Sequence, residues 1–120
     1  MIIISDLHLG DGTCSKVITP AAFHLFADRL KELARNASLR VDGKYRPVKT
    51  IDILMMGDII ETLHSTRWLE ENPGEPGYVR PWTDFRSPEY AAKVRDITLA
   101  ILKNNRESIA ILKGLTQGSL

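Results

Sequence analysis

Apolar residues fall into two short continuous segments and one longer segment with helical spacing. Residues 1–5 and 51–56 are apolar at nearly every position, which is typical of strands covered on both faces of a sheet. We therefore expect two buried strands. Between them, apolar residues recur with the period of an amphipathic helix, and Thr19-Pro20 supplies an N-cap and a first-turn proline, so a helix is predicted over 20–36. Its apolar face consists of Phe23, Phe26, Ala27, Leu30, Leu33 and Ala34.

The segments after this helix contain more turn signals. The Asp42-Gly43 pair between strand-like pieces predicts a small hairpin within residues 38–49. Prolines and glycines are spread over residues 65–88, and they exclude long regular elements. We therefore expect a long insertion loop over 65–87.

A second helix is predicted to begin at Ser87-Pro88, with Ile97 and Ile101 on its apolar face. The apolar run 108–113 fits either a continuation of this helix or a third strand, and the helix is favoured. The order strand, helix, strand, helix predicts an α/β fold with parallel strands and helical crossovers. Because ligands of such sheets bind beyond the carboxyl ends of the strands, functional residues are expected there.

Residues with metal-binding side chains follow both predicted strands. Asp6 and His8 follow the first strand, and in extended backbone residues i and i+2 point the same way. Asp58 follows the second strand, directly after Gly57, which permits a sharp exit of the chain. Carboxylates and an imidazole suit a divalent cation, so Asp6, His8 and Asp58 are predicted metal ligands. The alternative is that the aspartates cap turns and His8 is an ordinary loop histidine.

These residues lie in two motifs, Ser-Asp-Leu-His-Leu-Gly at 5–10 and Gly-Asp-Ile-Ile-Glu at 57–61. Together the motifs resemble the first two signatures of the calcineurin-like metallophosphoesterase family. Within the family, they are similar to bacterial sugar-lipid or nucleotide pyrophosphatase-type members. The resemblance covers residues 1–64 and matches no motif in the proline-rich loop or the last helix.

The resemblance implies a layered αββα sandwich with a dinuclear metal site. By position, Asp6 and His8 would bind the first metal, and Asp58 would bridge both. The metals would be Mn, Fe or Zn, and the reaction would be hydrolysis of a phosphate ester or pyrophosphate by a metal-activated hydroxide. A phosphate-containing substrate is the partner that this implies.

The later signatures of the family are missing from this sequence: a Gly-Asn-His-Asp/Glu turn, a lone His on a later strand and a Gly-His-x-His turn. The family's catalytic His is therefore not identified. Of the remaining histidines, His24 is expected on a helix face, and His64 either at the rim of the site or in an ordinary loop. We expect residues 1–120 to be a single domain that forms the N-terminal portion of a larger metallophosphoesterase domain, or a remnant of one. Such a site would hold one weakly bound cation or none. The alternative function is a non-catalytic, degenerate or truncated fragment that acts as a structural or assembly module.

Two further features leave alternatives open. Glu61 either supports a metal ligand or caps the following turn. The insertion loop carries Arg67, Arg80 and Arg86 among aromatic residues, so it is either a lid that grips phosphate or a surface loop held by its own aromatic side chains.

Composition excludes several other classes. Sixteen Lys and Arg balance 15 Asp and Glu, and the two signs interleave, so no nucleic-acid-binding stripe is expected. The single cysteine, Cys14, rules out an internal disulfide. No membrane span or signal peptide fits the sequence, which makes a soluble, cytoplasmic protein the expectation. A sheet with an unpaired edge and exposed apolar faces is expected to self-associate.

Overall fold

Two short strands form a parallel pair. Strand β1 (Ile2–Ser5) and strand β2 (Ile53–Met56) are in register, with Ile2 opposite Ile53 and Ser5 opposite Met56. The computed structural model describes residues 1–117. Within them it has this two-stranded sheet and three α-helices, so the chain is mixed α/β with a parallel sheet, as predicted.

The helices begin where the sequence signals place them. Helix α1 (Pro20–Ser38) starts after Thr19 and runs two residues beyond the predicted end. Helix α2 (Pro88–Asn104) is capped by Ser87, whose hydroxyl accepts a hydrogen bond from the Tyr90 backbone N–H at 3.2 Å. Helix α3 (Arg106–Leu115) follows after a one-residue break. Residues 108–113 are therefore helical and not a strand, although they belong to a separate helix and do not continue α2. Residues 118–120 lie outside the described residues.

The chain divides into two compact units, each with its own elements. The first consists of Met1–Asp6, Ile18–Gly57 and the segment from Glu107, and it holds both strands and α1. The second consists of Leu7–Val17 and Asp58–Arg106, and it holds α2 and a short 3₁₀ helix (Thr66–Leu69). No helix among residues 1–117 is long and apolar enough to cross a membrane.

The strands are less covered than the sequence predicts. Ile3 is 55% exposed, and Leu54 and Met56 of β2 are exposed to a similar degree. Burial alternates along β1, since Ile2 and Ile4 are half-buried whereas Ile3 and Ser5 are exposed. The expectation of strands buried on both faces is thus wrong. Exposure does not alternate along β2, since Leu54, Met55 and Met56 are all exposed.

The predicted hairpin is present in a minimal form. Leu39 and Tyr45 make a single antiparallel bridge around a turn in which Gly43 has a φ of +75°. The hydroxyl of Ser38 donates to the Ala34 carbonyl at 2.6 Å and accepts from the Val48 N–H at 2.9 Å. This buried hydroxyl thereby ties the end of α1 to the segment that leads into β2.

The insertion loop is not entirely irregular, because its first residues form the 3₁₀ helix. The indole of Trp68 is 2% exposed and donates to the Thr62 carbonyl at 2.8 Å. The Trp68 ring packs against the ring of Tyr90 in α2, and the two ring centroids are 5.4 Å apart. The 3₁₀ helix and the packing of Trp68 therefore give this loop regular structure that its proline content does not predict.

The buried Arg80 organises the rest of this loop. Its guanidinium donates to the backbone carbonyls of Trp68, Val79 and Glu71, the last at 2.9 Å. These bonds occupy the side chain, so for Arg80 the structure favours the alternative of a surface loop held by its own side chains. At the outer end of the loop, Trp82 and Phe85 are 79% and 69% exposed.

Candidate metal centre

Backbone pairing continues beyond the ends of the strands and brings the two motifs side by side. The N–H of His8 donates to the Asp58 carbonyl at 2.9 Å, and the N–H of Leu9 donates to the Ile59 carbonyl at 2.9 Å. The N–H of Glu61 returns a bond to the Leu9 carbonyl at 3.0 Å. Leu9 is 4% exposed, so its burial and these bonds fix His8 beside Asp58.

The Asp6 carboxylate packs against Gly57. The N–H of Asp6 donates to the Met56 carbonyl at 3.1 Å, and its carboxylate lies over Gly57. A Cβ at position 57 would come within 2.9 Å of the Asp6 Cγ and still closer to Oδ1. Gly57 also has a φ of +69°, which favours glycine. The second motif therefore requires glycine both for its backbone conformation and for the space that the Asp6 carboxylate occupies.

Asp6 and His8 are not in extended backbone. Their φ values are +54° and +46°, in the left-handed region. The expectation that they project together because of strand alternation is therefore wrong in its reason, although their side chains do converge. Asp and His tolerate this region better than most residues, yet each such residue still costs about 1–3 kcal/mol. Strain of this kind tends to be stored at functional sites.

The three predicted ligands lie together. Asp6, His8 and Asp58 each offer one ligand atom, and these atoms are all within 4.8 Å of one another. All three residues are exposed, and the His8 side chain retains 50% of its accessible surface. Two carboxylates this close repel each other, and a cation between them would reverse that repulsion. The donor set of two oxygens and one nitrogen fits a divalent transition metal.

Glu61 contacts His8 and also caps the turn that follows it. Its Oε2 lies 3.1 Å from His8 Nδ1, and its Oε1 accepts from the Leu63 N–H at 3.1 Å. The hydrogen bond to His8 is the main cause of a lowered Glu61 pKa, which burial partly opposes. An ionised Glu61 can only accept a hydrogen bond, so this contact requires a proton on His8 Nδ1 and makes Nε2 the ring nitrogen that could face a metal. A carboxylate behind a ligating histidine is the usual second partner in protein metal sites.

The other two histidines lie outside the ligand group. His64 Nδ1 is 3.6 Å from Glu61 Oε2, and the His64 side chain is 71% exposed. His64 therefore reaches the same carboxylate that contacts His8. His24 is exposed on α1, as expected for a helix-face residue.

A buried carboxylate close to the site was not anticipated from the sequence. The Asp11 side chain is 1% exposed and accepts hydrogen bonds from the Thr13 N–H and hydroxyl at 3.0 and 2.6 Å. It also accepts from the Ser65 hydroxyl, and its Oδ2 lies 3.6 Å from Arg67 Nε. These bonds join the loop that follows His8 to the start of the 3₁₀ helix. The Asp-x-Thr spacing is typical of a side-chain-capped turn and was the available signal.

The pKa of Asp11 reflects this setting. Burial is the largest single influence and raises the pKa, but the hydrogen bonds from Ser65 and Thr13 and the charge of Arg67 together lower it below its ordinary value. Asp11 is therefore ionised at neutral pH, with its charge compensated locally.

Comparison with known proteins adds no relative. No protein-family model matches the chain, and neither a curated protein nor a solved structure matches it significantly. The functional assignment consequently depends on the ligand geometry and on the resemblance of the two motifs.

Proposed function

We propose that the chain binds a divalent cation through Asp6, His8 and Asp58 and that this centre serves a metal-dependent phosphoesterase. The observation that carries the proposal is the convergence of the three ligand atoms within 4.8 Å. The reaction would be hydrolysis of a phosphate ester or pyrophosphate, in line with the resemblance to calcineurin-like metallophosphoesterases. The parallel pair would then belong to the αββα sandwich of that family.

The three donor atoms restrict which cations the site can bind. One imidazole with two carboxylates suits Mn, Fe or Zn better than an all-oxygen site would. Three protein ligands are enough for one octahedral ion, whose other positions are taken by water or substrate. Among residues 1–117, this is the one group of three or more such side chains. We therefore propose a single, weakly held cation and not a dinuclear centre.

The residues have separate roles in this scheme. The carboxylates of Asp6 and Asp58 supply the negative charge that attracts the cation, and Glu61 orients His8 through Nδ1. The exposure of all three ligands leaves the site open to a phosphate group. A cation bound there would supply charge neutralisation for the phosphate and a lowered pKa for a water molecule.

The direct test is Mn²⁺ binding by calorimetry, together with hydrolysis of p-nitrophenyl phosphate. The Asp58→Asn variant removes one ligand charge with little change in size. We expect it to weaken Mn²⁺ binding about tenfold or more and to lower any hydrolysis by at least the same factor. The matched control is Asp28→Asn, at an exposed position on α1, which should leave both unchanged. Wild-type protein that fails to bind Mn²⁺ at millimolar concentration, or Asp58→Asn that binds it normally, would refute the metal centre.

The exposed strand residues support a second candidate, a non-catalytic assembly module. Ile3, Leu54 and Met56 present apolar surface on the two strands, and such patches often mark interaction sites. Activity separates the candidates. Hydrolysis that Asp58→Asn abolishes excludes the non-catalytic module, whereas Mn²⁺ binding without hydrolysis, combined with self-association, favours it.

A further inference from the structure

The second unit contains an open cleft with a strongly basic lining. Its volume is about 450 Å³. Three cationic side chains and one carboxylate line it, which leaves two net positive charges. The complete lining is Asp11, Arg67, Ala100, Lys103, Asn104 and Arg106.

Two of the three cations carry uncompensated charge. Lys103 and Arg106 are exposed, and neither forms an ion pair with a carboxylate within residues 1–117. Arg67 differs, because its Nε lies 3.6 Å from Asp11 and its Nη1 lies 3.5 Å from Glu70. The Asp11 carboxylate is buried and bonded to Ser65 and Thr13, and the two net positive charges of the lining already include its negative charge.

Helix electrostatics explain only one of these unpaired cations. Lys103 lies in the last turn of α2, where the negative end of the helix dipole favours a cation. Arg106 is the first residue of α3, where the positive end of the dipole disfavours one. The helix dipole therefore does not account for Arg106 in the lining that also contains Lys103, whereas a bound anion would offset the unfavourable position of this cation.

Two asparagine side chains hold the segment that carries these cations, and one of them, Asn105, is buried. Asn104 Nδ2 and Asn105 Nδ2 donate to the Gly10 carbonyl at 3.1 and 2.8 Å. A Cβ at Gly12 would lie only 3.2 Å from Asn104 Nδ2, so the loop after His8 packs closely against the end of α2. The backbone that carries the cleft is therefore held in place by these hydrogen bonds and contacts within the second unit.

From these observations we infer that the cleft is a binding site for a multiply charged oxyanion, such as a phosphate group. Guanidinium and ammonium groups form charge-assisted hydrogen bonds with phosphate oxygens, and the guanidinium can do so with two parallel bonds. The site consists of Lys103, Arg106 and the exposed part of Arg67. It does not require the proposed cation centre, because none of its residues is a metal ligand.

The test is calorimetric titration of metal-free protein, in the presence of EDTA, with inorganic pyrophosphate, inorganic phosphate and adenosine 5′-monophosphate. The cleft variant is Lys103→Gln with Arg106→Gln. The matched control is Lys16→Gln with Arg95→Gln, which removes the same charge from exposed positions of the same unit outside the cleft. We expect the cleft variant to weaken pyrophosphate binding about tenfold or more and the control to change it less than about twofold. Tighter binding of the nucleotide than of inorganic phosphate would assign the anion to an organic phosphate, and the reverse would assign it to the free ion.

Two outcomes would overturn the inference. One is wild-type protein that shows no saturable binding of pyrophosphate at millimolar concentration. The other is a cleft variant that binds pyrophosphate as tightly as the wild type. Amide chemical-shift mapping of wild-type protein gives a readout without any substitution, since pyrophosphate should shift residues 103–106 most. Failure of Mn²⁺ binding would affect the proposed function and not this site, so the two results are distinguishable.

Discussion

Gly57→Ala is the sharpest probe of the proposed centre, because it adds one methyl group at a defined place. Gly57 adopts a φ of +69°. The added Cβ would lie 2.9 Å from Asp6 Cγ and closer still to Oδ1, nearer than real Cβ contacts allow. The Asp6 carboxylate must therefore move away from its present position.

The expected effect has two parts. An alanine in left-handed backbone costs about 1–2 kcal/mol of folding free energy. Displacement of Asp6 removes one of three ligands, and we expect the Mn²⁺ dissociation constant to rise about tenfold or more. The stability loss should exceed the backbone cost alone, because the steric overlap adds to it.

A matched glycine separates these parts. Gly43 has a similar φ of +75°, but a Cβ there would meet nothing within 4 Å. Gly43→Ala should therefore lose about 1–2 kcal/mol and bind Mn²⁺ as the wild type does. Urea denaturation measures the free energies of unfolding, and calorimetry measures Mn²⁺ binding to the three folded proteins.

Two results would refute this reasoning. If folded Gly57→Ala binds Mn²⁺ with wild-type affinity, the Asp6 carboxylate is not a ligand in the position described. If Gly43→Ala loses Mn²⁺ affinity as well, the effect of Gly57→Ala comes from general destabilisation and not from contact with Asp6.

Three further predictions concern the support of the site, the buried carboxylate and the exposed strands. Glu61→Gln removes the negative charge next to His8 Nδ1 and should weaken Mn²⁺ binding about tenfold in calorimetry. Unchanged Mn²⁺ affinity would show that Glu61 only caps the turn that follows it. Asp11→Asn should lose about 1–3 kcal/mol of stability in urea denaturation at pH 7. The pKa of Asp11 in the folded protein lies below the ordinary value of 3.8. The ionised carboxylate therefore stabilises the fold above pH 3.8, and this stabilisation is lost as the pH falls through the folded-state pKa. The stability difference between wild type and Asp11→Asn should shrink at pH 3, and a constant difference would contradict this account. Ile3→Lys should reduce self-association in sedimentation velocity, whereas the control Val41→Lys, at a fully exposed turn position, should not. Identical sedimentation of wild type and both variants would exclude the exposed strand face as the surface through which the protein self-associates.

The fold elements were largely predictable because their signals are local. The apolar period and Thr19-Pro20 place α1, and Ser87-Pro88 places α2. The degree of strand burial was not predictable in this way. A run of isoleucines has the same sequence pattern whether or not other parts of the protein cover it, and among the described residues Ile3 remains 55% exposed.

The site was predictable in its residue types and not in its geometry. Asp6, His8 and Asp58 could be selected because polar ligands directly follow two apolar strands. Their convergence depends instead on left-handed backbone at Asp6 and His8 and on the contact between Asp6 and Gly57. No period of the sequence encodes either feature.

The sequence by itself determined the two strands, the first two helices and the chemical types at the strand ends, because each of these follows from neighbouring residues. Only the tertiary structure decided which of those side chains meet. The bond from His8 to Glu61 and the bond from Asp11 to Ser65 join residues 53 and 54 positions apart. Contacts over such separations depend on how the paired backbones are held together, so they become visible only when the chain is folded.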